Sequence, residues 1–168
     1  MADDRGAFGV LDLWREMSPG ERQAVAAAFW SDAESVGQQV EAIHAMATQF
    51  KFRPQSVLKL PPDRRARQLS AMSRIPESVA SRALVVYHLA EKRAMLGAFL
   101  DALGIRHDHG VIEEVPAEPP GLDRLASAVA AISAAFPASD VRLYLRTLAA
   151  QDPGTWRHLR ELAPAPAH

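Results

Sequence analysis

Apolar residues recur at steps of three and four along most of this chain, the period of helices buried on one side. No window alternates apolar and polar residues long enough for a convincing strand, although Gly110-Val111-Ile112 suits a short extended piece. Phe8, Val10, Leu11 and Trp14 suit a first amphipathic helix. Ser18-Pro19-Gly20-Glu21 is a capping box with proline in the first helical position, and it predicts a helix over 19–30. Asp32 is placed to cap a third helix whose inward stripe is Val36, Val40, Ile43, Ala47 and Phe50. Arg53-Pro54 opens a short helix that stops at Pro61-Pro62, and Asp63 to Met72 form the next. Pro76 and Glu77 open the longest helical region, 76–103. Leu84, Val85, Val86, Tyr87, Leu89 and Ala90 are apolar almost all the way round, which marks a buried central helix. The polar run Glu91-Lys92-Arg93 predicts a kink or a break within it.

Leu103-Gly104-Ile105 reads as a left-handed helix cap with its apolar contact. After a short loop, Val115-Pro116-Ala117-Glu118-Pro119-Pro120-Gly121 is too stiff and too poor in donors for a helix. Three helices should follow, over 122–136, 139–151 and 153–162, the last capped by Asp152 and pinned by Trp156. The expected fold is all-α, an irregular bundle of about seven to ten helices around a long central hydrophobic helix. The main bundle is assigned to 1–115, a connector to 116–121, C-terminal helices packed back on the bundle to 122–162, and a tail to 163–168.

At 168 residues the chain can bury a core without metals or disulfides. It has no cysteine, which excludes thiolate zinc sites, iron–sulfur clusters and cysteine nucleophiles. The start, Met-Ala-Asp-Asp-Arg, lacks the basic and apolar regions of a signal peptide, and no stretch approaches the ~18 apolar residues of a membrane span. A cytoplasmic location without membrane contact is expected. Abundant alanine, no asparagine and 16 arginines against three lysines suggest a high-GC bacterial coding sequence.

Charge is segregated. Residues 51–74 hold seven cations (Lys51, Arg53, Lys59, Arg64, Arg65, Arg67, Arg74) and one acid, Asp63, while the first fifty residues hold eight acids and three arginines. On a helix starting near Pro62, Arg64, Arg67 and Arg74 fall within an outward arc of about 80°, with Arg65 set apart. Arginines at a helix start oppose the local dipole, so an acidic partner is expected, inside the protein or outside it. The acids Asp3, Asp4, Asp12, Glu16, Glu21, Asp32, Glu34 and Glu41 are a ready internal counterpart. Arg53, Arg64, Arg65, Arg67 and Arg74 are therefore the candidate binding residues, for a protein partner or for a nucleic-acid backbone. Interleaved aromatics for stacking are judged missing from the basic block, as is a convincing helix-turn-helix, since the two short helices expected over 54–74 are joined by a Pro-Pro turn.

Other chemistry is sparse. His107, Asp108 and His109, followed by Glu113 and Glu114, are weak metal candidates, because adjacent ligands in an extended loop point in alternating directions. A surface turn at Gly110 is the default. Glu41-Ala42-Ile43-His44 and His88-Leu89-Ala90-Glu91 have di-iron spacing, but Glu41 and His44 fall outside the expected inward stripe. His88, among apolar neighbours, suits a core histidine bonded to a backbone carbonyl, Glu91 or Tyr87 more readily than a general base. Trp14, Phe29 and Trp30 suit core packing, with a partner anchor as the rival. No phosphate loop, dinucleotide fingerprint, nucleophile elbow or His-Glu-x-x-His motif is present, so no cofactor is expected and enzymatic function is disfavoured.

At Tyr87-His88-Leu89-Ala90 and Phe99-Leu100-Asp101-Ala102-Leu103-Gly104-Ile105 the chain resembles uncharacterised all-helical proteins of high-GC bacteria. The resemblance implies a helical fold and transfers no site residues. The functional expectation is a non-enzymatic interaction protein with a protein partner or a second copy of itself. The alternatives are a nucleic-acid-associated protein using 51–74 and a metal-dependent enzyme with a His107/His109 site.

Overall fold

The computed structural model describes residues 8–166 and is all-α, with eleven helices and one two-stranded hairpin among those residues. The chain divides into two compact units. One is Val10–Glu91; the other begins at Lys92 and includes Phe8 and Gly9. The division falls at Glu91 and Lys92, inside the helical region 76–103, and the proline-rich connector lies within the second unit.

The Val10–Glu91 unit contains α1 (Val10–Glu16), α2 (Pro19–Ser31), α3 (Val36–Phe50), α4 (Pro54–Leu58), α5 (Pro62–Ser70) and α6 (Glu77–Glu91). Its core is built where α2 packs on α5 and α6, with Val25, Phe29, Leu69, Val79 and Leu84 fully buried. The capping box forms as expected: Glu21 N–H donates to Ser18 Oγ (3.1 Å), and Ser18 N–H donates to Glu21 Oε2 (2.9 Å).

Asp32 does not cap α3. That helix starts after Ser35, and the Asp32 carboxylate instead accepts from the Ser35 hydroxyl and from Arg82 of α6 (3.2 Å). Arg82 Nε donates to Ser35 Oγ (2.8 Å), and the Gln39 amide donates to the carbonyls of Phe29 (2.9 Å) and Asp32 (2.8 Å). A short local cap is replaced by a tertiary clasp that ties the α2–α3 turn to α6.

The second unit contains α7 (Arg93–Ala102), β1 (His107–Asp108), β2 (Val111–Ile112), α8 (Leu122–Ala135), α9 (Ala138–Gln151), α10 (Pro153–Trp156) and α11 (Leu159–Leu162). The long helix is thus two helices, interrupted at Lys92 where polar residues break the apolar run. Gly104, at φ +68°, ends α7, and Ile105 N–H reaches back to the Leu100 carbonyl (2.9 Å), the cap expected there. Phe99 packs edge-on to Tyr144 and lies 6.2 Å from Trp156. The expected helix 153–162 is two short helices, the first capped by Asp152 Oδ1 accepting from Thr155 N–H (3.2 Å).

Candidate functional site

Lys51, Arg53, Lys59, Arg64, Arg67 and Arg74 are all exposed. No acidic side chain among the described residues pairs with any of them. Four of the eight acids of the expected internal counterpart are engaged elsewhere. Asp12 pairs with Arg15 (3.2 Å), Asp32 with Arg82, Glu21 with its own helix start, and Glu41 with the Ser78 hydroxyl. Asp3 and Asp4 lie outside the described residues.

Two of the candidate binding residues, Arg65 and Arg74, lie apart from the outward face of α5. Arg65 is half-buried: its Nε donates to the Leu60 carbonyl (3.1 Å), and its guanidinium lies 5.5 Å from the centre of the Trp30 ring. It braces α5 against α2. Arg74 is not on α5, which stops at Ser70; it sits in the turn before α6, where the Gln49 side chain meets Ser73 Oγ (3.2 Å). Only Arg64 and Arg67 share the outward face of α5, because Ala66 and Leu69 fill its inner face.

The apolar pattern of α3 and α4 also departs from expectation. In the stripe on α3, Ile43 and Ala47 are buried, but Val36 is 59% exposed and Val40 48% exposed. Leu58 is 55% exposed beside Lys59. Phe52, between Lys51 and Arg53, is 43% exposed, with its ring 6.0 Å from that of Phe50. An exposed aromatic does therefore lie within the basic block, contrary to expectation, and Phe50-Lys51-Phe52-Arg53 was its sequence signal. Unit Val10–Glu91 therefore presents unpaired cations and uncovered large apolar side chains on consecutive elements, α3 to α5.

The His107-Asp108-His109 run forms a hairpin, with His107 opposite Ile112 and Asp108 opposite Val111. His109 (φ +49°) and Gly110 (φ +91°) make the two-residue turn. Gly110 N–H donates to His107 Nδ1 (3.1 Å), so in the neutral ring Nε2 carries the proton and donates to Asp101 on α7 (2.8 Å). Alternation along the strand separates half-buried His107 from exposed Asp108 and His109. Among the described residues no three histidine or carboxylate side chains form a group able to hold a metal ion.

His88 is buried, its Nδ1–H donating to the Leu84 carbonyl one turn back (2.8 Å), while Glu91 is exposed. Glu41 and His44 are exposed as well. Trp14 and Phe29 are core residues, and Trp30 is half-buried beside the Arg65 guanidinium. In the second unit an open cleft of about 490 Å³ runs along Arg106, Glu114, Glu118 and Arg124, but Arg124 is turned onto the Leu103 carbonyl. Among the described residues, no helix is long and apolar enough to cross a membrane. The chain matches no protein-family model, no curated protein and no solved structure.

Proposed function

We propose that this is a cytoplasmic bacterial protein that works by binding another protein, with the α3–α5 face of the Val10–Glu91 unit as its contact surface. The observation that carries this reading is the set of six exposed cations with no acidic partner among the described residues. Arg64 and Arg67, about one helical turn apart on α5, repel one another, as do Lys51 and Arg53, two residues apart between α3 and α4. An external acidic surface relieves that repulsion and gains from steering at long range. The uncovered Val36, Val40, Phe52 and Leu58 supply the apolar area that a protein partner needs and a phosphate backbone does not use. Nucleic acid is the second reading, favoured by the cations and Phe52 alone.

Capture from a lysate of the native host tests the proposal, comparing the wild type with Arg64→Glu/Arg67→Glu after nuclease treatment. A protein retained by the wild type, lost on the variant and released as salt rises several-fold is the expected result. Retention that the variant does not change, or that nuclease abolishes, overturns it.

A further inference from the structure

We infer that the exposed apolar residues of α3 and of α4, two helices that pack on each other, take one class of occupant, an acidic amphipathic helix of the partner protein, an inference that rests on the interaction reading above. Val36 and Val40 lie one helical turn apart and in line along α3, forming a short apolar ridge. The same stripe is buried at Ile43 and Ala47, toward the end where the chain turns into α4, and stays open at the other end. Leu58 and Phe52 add exposed apolar surface from α4 and the turn before it.

Each of these two is flanked in sequence by a cation, Leu58 by Lys59 and Phe52 by Arg53. A helix laid on such a surface fills it with apolar residues at i and i+4 and meets the cations with carboxylates on its flanks. Carboxylate is the complementary charge, since none of the protein's own described acids reaches these cations. Three of the four apolar groups are aliphatic and offer no flat face for base stacking, which separates this surface from a single-strand nucleic-acid platform.

Selection on the full chain from a display library of random peptides about 16 residues long tests the inference without a host partner. Enriched peptides should be net acidic, with Leu, Val, Met or Phe recurring at i and i+4. A synthetic copy of one should lose about tenfold or more in affinity to Arg53→Glu/Lys59→Glu, and a similar factor to Val40→Ser/Leu58→Ser. Both pairs are exposed, so circular dichroism and the thermal midpoint should show folded variants.

Enrichment of basic or uncharged peptides, no enrichment, or binding that survives both double variants overturns the inference. So does a 20-nucleotide single strand that binds more tightly than any selected peptide and is lost only with the charge variant. Host capture that depends on Arg64 and Arg67 while no acidic peptide is selected leaves the interaction reading standing and removes only this occupant.

Discussion

The Asp32 carboxylate stands 3.2 Å from the Arg82 guanidinium, across 50 residues of chain. Ser35 bridges the two, donating to Asp32 and accepting from Arg82 Nε, and is itself fully buried. An acid that local pattern assigns to a helix cap is thus taken by an arginine outside the basic segment. The consequence reaches the surface: Asp32 is held here and Asp12 by Arg15, and the exposed cations of 51–74 have no acidic partner among the described residues.

The hydrogen bond from Ser35 and the neighbouring Arg82 charge hold the Asp32 carboxyl below its ordinary value, against the opposing effect of partial burial. Asp32→Asn should cost about 1 kcal/mol near neutral pH, a modest figure because the pair is partly solvated. A group whose folded pKa is depressed contributes fully above its unfolded value and loses that contribution as pH falls through the folded one. The wild-type advantage should therefore be complete at about pH 6 and shrink toward about pH 3. Urea unfolding of both proteins at the two pH values checks this; an advantage that grows on acidification contradicts it.

Arg64 occupies the third helical position of α5, exposed and without an ion pair, where the helix dipole favours an acid. Arg64→Glu should leave stability unchanged or raise it by about 0.5 kcal/mol, through the dipole and through relief of repulsion with nearby cations. A residue kept for binding has this signature. A loss above about 1 kcal/mol in denaturant unfolding would instead make Arg64 a structural residue.

Two glycines should respond in opposite directions to alanine. At Gly110, φ is +91° and an added Cβ would stand 2.9 Å from Leu96 Cβ, so Gly110→Ala should destabilise by about 2–3 kcal/mol. Gly37 is in the first turn of α3 with nothing within 4 Å of the same position, and Gly37→Ala should stabilise by about 0.5 kcal/mol. Thermal midpoints that shift the same way for both would refute the pairing.

His88 and His107 should hold opposite tautomers when neutral. A carbonyl accepts at His88 Nδ1, which places the proton there, whereas the Gly110 N–H donates to His107 Nδ1 and places the proton on Nε2. Long-range nitrogen–proton correlation spectra distinguish the two patterns, and Asp101→Ala should alter the His107 signals while leaving those of His88 in place.

The sequence by itself determined the helical class, the capping box at Ser18, the glycine cap at Gly104, the interruption at Lys92 and the core role of His88. Each depends on residues within about five positions of one another, the range over which backbone geometry and helical period act. The basic segment was equally legible as composition. Tertiary structure decided what that charge does: whether an acid of the first fifty residues crosses to meet it, whether Arg65 turns inward to Trp30, and whether α3's apolar stripe is covered along its whole length. Those outcomes depend on which helices pack together and where a five-residue helix such as α4 stops, and periodicity within one helix carries no record of its neighbours.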